Sequence, residues 1–226
     1  MAETLEDILG IHFQNPALVQ LALTHRSYIY ETPGAGQESN ERLEFLGDSI
    51  LAFISADFLY RAYPQLSEGE LTDVRAILVK TDTLATFARE IELGSFLRMG
   101  RGEHYTGGSQ RVLASAFEAL LAAIYLDQGI EVTRQFLLKR LEPLAQRIVT
   151  KRLFKDNKSL FQELAQAHDG ITPSYRLVNQ EGPSHNREFT VEVMLGEQVA
   201  GIGHGRNKQA AEQEAAHNAL VNRGWV

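Results

Sequence analysis

The sequence predicts an all-α domain followed by a small α+β domain of α-β-β-β-α order, and three patterns carry that expectation. Up to about residue 148, apolar residues recur at three and four spacing, as in Leu18, Leu21 and Ala22 and again in Phe117, Leu120, Leu121 and Ile124; that is the period of a helix with one buried face. Further on, Phe189, Val191, Val193 and Leu195 alternate with Thr190, Glu192 and Met194, which is the period of a half-buried strand. The chain then closes on Ala211, Ala215, Ala216 and Ala219, small residues on one helical face that let a helix lie close to a sheet.

Element by element, the first region breaks at Asn15-Pro16, across residues 32–36, at Tyr63-Pro64 and across the glycine-rich residues 99–108. That last stretch has no Gly-Lys-Ser/Thr, so it reads as a surface loop and not as a phosphate-cradling loop. The period changes after residues 151–156. A short helix over about 159–168 precedes strands over 175–179, 189–195 and 198–203, with turns at Glu181-Gly182-Pro183 and Gly196, and a helix over about 207–222 ends the chain. The expected organisation is a first domain over 1–148, a linker over 149–154 and a second domain over 155–226.

Composition narrows the function classes. The chain has 226 residues, 44% of them hydrophobic, which suits folded domains. The absence of cysteine removes disulfides, thiolate zinc sites and a cysteine nucleophile. The first residues lack the basic start of a signal peptide, and no apolar run is expected to approach the roughly 20 residues of a membrane span; a soluble cytoplasmic protein without membrane partners is the expectation. Net charge is -7, being -5 over residues 1–154 (15 Lys+Arg, 20 Asp+Glu) and -2 over 155–226 (7 against 9). Neither part is basic, so nucleic-acid binding must come from locally placed groups or from metal ions neutralising an acidic cluster.

The acids are placed for that second route. A helix over residues 40–54 sets Glu41, Glu44 and Asp48 at i, i+3 and i+7, within a sector of roughly 60°. The rest of that segment is apolar almost all round, the pattern of a buried central helix. Like charges a turn apart repel, and burying them requires something cationic, which a divalent ion would supply; the alternatives are a solvated acidic face, or pairing with Arg26, Arg42 or Arg75. A second acid, Glu118, is the only charge in the run 112–126 and needs a partner of the same kind, an arginine or a shared metal. Ser115 lies one turn earlier on its face. His25 reads as a structural residue.

The run 40–51, NERLEFLGDSIL, resembles the most diagnostic motif of the ribonuclease III family. Residues 22–28 (ALTHRSY), 68–72 (EGELT) with Arg75-Ala76, and 113–127 (LASAFEALLAAIYLD) support it in the same order. Residues 160–164 (LFQEL), 182–185 (GPSH) and 208–216 (KQAAEQEAA) resemble a double-stranded RNA-binding domain. Nearly the whole chain is covered.

The resemblance implies an endoribonuclease that cuts double-stranded RNA by metal-assisted hydrolysis, leaving 5′-phosphate and 3′-hydroxyl ends, in rRNA and mRNA processing. It makes Glu44, Asp48 and Glu118 catalytic, with all three at the metal, Mg2+ or Mn2+ in its place, and no organic cofactor. Glu41, Glu68 and Ser115 become accessory residues, and Gln162, His185, Asn207 and Lys208 RNA contacts. It also implies a homodimer formed through the acidic helix, with Phe45 inserted in the partner; as a residue, Phe45 is equally a monomer core aromatic. One position departs: the family has Asp where Ser115 stands. That leaves an active variant with water in the gap, a weakened double-stranded RNA-binding protein, or a change introduced to trap substrate. An acidic helical interaction protein is a further class, and it leaves residues 155–226 unexplained.

Overall fold

The structure, a computed structural model, describes residues 4–32, 34, 38–101, 108–183 and 187–225. Most of the expected glycine-rich loop, part of the break at 32–36, and His185 therefore lie outside the described residues. The chain divides into two compact units, residues 1–154 and 155–226.

The first unit is helical. Short helices α1 (Leu5–Leu9), α2 (Pro16–Ala22) and α3 (Arg26–Glu31) lead to α4 (Glu41–Ala62), followed by α5 (Glu68–Leu78), α6 (Thr81–Glu90), α7 (Leu93–Phe96) and the long α8 (Gln110–Thr150). Local chemistry sets the ends. Asn15 caps α2 ahead of Pro16 at its first position, and Ser67 and Glu70 form a capping box at α5. His25 caps α3 through its side chain, accepting from the Ser27 N–H, which is the structural role expected of it.

Helix α8 is the axis of this unit, with α2, α4, α5, α6 and α7 packed on it. Its buried alanines 114, 116, 119, 122 and 123 let neighbours come close, and Phe87, Phe117 and Phe136 stack in a row with centroids 5.8 and 6.0 Å apart. Two expectations are corrected here. The helix breaks at Gly129, whose φ of 81° is not helical, a kink the periodicity hides. Helix α8 is also long and apolar enough, by length and composition, to cross a membrane; its apolar stretch is instead the core of the unit, with residues 119–124 all buried. Residues 149–150, expected in a linker, continue the helix.

The second unit runs α9 (Asn157–Asp169), β1 (Ser174–Glu181), β2 (Glu188–Leu195), β3 (Gln198–Gly205) and α10 (Lys208–Asn222), with an antiparallel sheet in the order β1-β2-β3. Val191, Val193 and Leu195 are buried, as their alternation requires. Helix α10 lies on β2 and β3, and α9 packs on α10. The close approach is two-sided: the alanines of α10 meet glycines of β3, and a β-carbon on Gly203 would fall 2.1 Å from the Ala215 nitrogen.

Candidate active site

The acids meet where α4 crosses α8. Gly47 faces Glu118 so closely that a β-carbon on it would fall 1.8 Å from the Glu118 carbonyl oxygen; only glycine permits that approach. The crossing sets Glu44 and Asp48, on either side of Gly47 in sequence, beside Ser115 and Glu118. Ser115 Oγ donates to Glu44 Oε1 at 2.8 Å. The partly buried Glu118 carboxyl is pushed up to about 7, first by burial, then by the negative charges of Asp48 and Glu44. Glu44 and Ser115 are partly buried and Asp48 is exposed.

No arginine or lysine among the described residues pairs with Glu44, Asp48 or Glu118; the arginine alternative holds only for Glu41. That side chain accepts from Ser39 Oγ at 2.8 Å and lies 3.5 Å from Arg26 Nη1, outside the cluster. Glu68 opens α5, exposed, with Thr72 Oγ1 donating to it at 3.4 Å, and it does not join the cluster either. Sequence reasoning gave Gly47 no role. A glycine in the interior of a long helix costs about 1 kcal/mol against alanine, and that cost was the available signal.

Among the described residues, no three acids or histidines stand closed up as a cation cage. The donor set where Glu44, Asp48, Ser115 and Glu118 meet, carboxylate oxygens and a hydroxyl, is of the kind a hard divalent ion takes.

Helix α4 departs from the expectation of an all-round buried helix. Leu43, Gly47, Ile50, Leu51, Ile54, Ser55 and Leu59 are buried, but Phe45 is 78% and Phe53 56% exposed. The helix buries one face on α8, and among the described residues of this unit Phe45 and Phe53 on the other stay exposed. Phe45 is therefore not monomer core. Two clefts flank this face, of about 740 Å³ beside Phe53, Tyr125 and Ile130, and about 790 Å³ beside Phe45, Leu18 and Leu126.

Comparison with known proteins accords with this geometry. A family model described as "Ribonuclease-III-like" matches residues 15–144, and one described as "Double-stranded RNA binding motif" matches 157–222. The ribonuclease 3 of Pelotomaculum thermopropionicum is 45% identical over 219 residues, covering 96% of this chain and 91% of that protein. The chain belongs to the ribonuclease III family. Ribonuclease 3 of Oceanobacillus iheyensis is 47% identical over 221 residues, covering 96% and 95%. Among solved structures, the nuclease domain of ribonuclease III from Campylobacter jejuni, described for flexibility in its dimer-forming region, is 33% identical with a TM-score of 0.56, covering 62% of this chain and 94% of its own. Dicer from Pichia stipitis is 27% identical with a TM-score of 0.51, covering 94% and 96%.

In the ribonuclease III frame, the second unit supplies the RNA-binding fold. Gln162 is exposed on α9. Lys208 opens α10, its ammonium 3.8 Å from Glu212. Asn207 caps that helix, its Oδ1 accepting from the Ala210 N–H at 2.8 Å.

Proposed function

We propose that the protein is an endoribonuclease that cuts double-stranded RNA by hydrolysing phosphodiesters at the α4–α8 crossing, leaving 5′-phosphate and 3′-hydroxyl ends. The supporting observation is the α4–α8 crossing, which packs Gly47 on Glu118 and hydrogen-bonds Ser115 to Glu44, with Asp48 beside them. Glu44 and Glu118, with Asp48 alongside, would hold a divalent ion, Mg2+ with Mn2+ able to substitute. When bound, the ion supplies an activated water and stabilises charge on the phosphate. Ser115 orients the Glu44 carboxylate by its hydrogen bond to Oε1. Glu41 and Glu68, outside the cluster, would act as accessory acids near the cleavage site.

The proposed nuclease domain is 1–148 and the RNA-binding domain 155–226, working in the cytoplasm on rRNA and mRNA precursors. In A-form RNA the minor groove offers 2′-hydroxyls, and phosphates line the adjacent major groove; Gln162 and His185 suit the first, Lys208 and Asn207 the second. The uncovered face of α4 supports a homodimer, with Phe45 of each copy entering the cleft of the other, so that two sites act on one duplex.

The test is incubation with duplex RNA and Mg2+ or Mn2+, with product ends read by 5′-phosphate-dependent ligation. Cleavage that Glu118→Ala abolishes while duplex binding persists supports the reading. Binding without cleavage at any metal concentration would overturn it.

A further inference from the structure

A cleft of about 1090 Å³ opens between α6 and the second half of α8. It shares no lining residue with the acidic cluster or with the apolar clefts beside Phe45 and Phe53. Lys80, Lys139, Arg140 and Arg147 line it against two acids, Asp82 and Glu90, in a chain of net charge -7. Lys80, Lys139 and Arg147 are exposed, and none has an ion pair among the described residues.

Arg140 is the central group. Its side chain is only 16% exposed and lies over the Phe136 ring at 4.4 Å. Nη1 donates to the Phe136 carbonyl at 3.0 Å, but Nε is buried with no hydrogen-bond partner; the nearest carboxylate, on exposed Glu90, stands 3.9 Å away. Burial holds the guanidinium below its ordinary range, Glu90 offsetting part of that. A buried charged donor without an acceptor is costly, and the Nε edge of a guanidinium matches phosphate bidentately. Glu90 is the side chain an arriving phosphate would displace.

The remaining lining suits an organic body on that phosphate. Phe87, Leu144 and Ile148 give the cleft an apolar wall. An extended polyanion would also meet Asp82 and Glu90, whereas a compact phosphate reaches the recessed Arg140. The volume is that of a small-ligand pocket.

We propose that this cleft binds a nucleotide-sized phosphorylated ligand, its phosphate held by Arg140 with Lys139, Arg147 and Lys80 around it. Calorimetric titration of the full chain with ADP, at low salt and in EDTA to exclude the acidic cluster, tests it, with adenosine as the phosphate-free control. ADP binds and adenosine binds more weakly or not at all. Arg140→Gln lowers ADP affinity about tenfold or more, as loss of a charged hydrogen bond does. Lys139→Gln, on an exposed side chain that cannot compromise folding, lowers it severalfold. Duplex cleavage without nucleotide is unchanged in both variants. Absence of ADP binding, or equal affinity in wild type and both variants, overturns the proposal. So does weakened duplex binding in the variants without any ADP binding, which would assign these cations to the RNA backbone.

Discussion

Glu118 shows what one residue contributes. Its carboxyl, pushed up to about 7 from an ordinary 4.5, holds a proton in the folded chain over a range where the unfolded chain has lost it. The stability this contributes is complete below about pH 4.5 and is lost as pH rises through about 7. Discounted for the solvent screening of a partly exposed carboxyl, the loss in the metal-free protein should be on the order of 2 kcal/mol between those limits. Glu118→Gln should flatten the loss and raise the Tm at pH 8, which thermal melts in EDTA at several pH values measure. Equal pH slopes in variant and wild type would remove the burial argument. Ser115 is the complementary case. Ser115→Asp exchanges a neutral donor to Glu44 for a like charge, so the metal-free variant should melt lower and bind Mg2+ more tightly; melting with and without Mg2+ reads both, and an unchanged Mg2+ affinity would take residue 115 out of the metal's surroundings.

At the scale of elements, the site depends on two helices touching backbone to backbone. Gly47→Ala would set a methyl group against the Glu118 carbonyl, which α4 and α8 can relieve only by moving apart. Overpacking of this kind costs about 1–3 kcal/mol or more. Cleavage should fall further than the stability loss explains, since separating the helices also separates Glu44 from Ser115. Denaturant unfolding together with single-turnover cleavage measures both, and an alanine variant with wild-type rate would show that the crossing tolerates separation. The elements themselves were largely legible. Asn15-Pro16 and Tyr63-Pro64 marked true ends, and the alternation in 189–195 marked a true strand. Gly129 was not legible, because apolar residues continue in period on both sides and mask the break.

At the scale of the molecule, the uncovered face of α4 is what a single chain leaves unfinished. An exposed Phe45 next to apolar clefts is stable in water only at a cost that association removes. Phe45→Asp should convert the proposed dimer to monomer in sedimentation velocity and, by separating the two sites that dimer would set on one duplex, lower double-strand cutting more than RNA binding. A Phe45→Asp protein sedimenting as the wild type does would place the contact elsewhere. The two units keep separate cores, so this change should leave the second unit's packing untouched.

The sequence by itself determined the order of helices and strands, the helical stripe of Glu41, Glu44 and Asp48, and the isolation of Glu118 in an apolar run, because these depend on spacing along one chain. Tertiary structure alone decided that Gly47 brings Glu44 and Asp48 to Glu118, that Glu41 turns instead to Arg26, and that one side of α4 stays bare. Those outcomes depend on which faces meet, and a local period fixes a face's composition without fixing its partner.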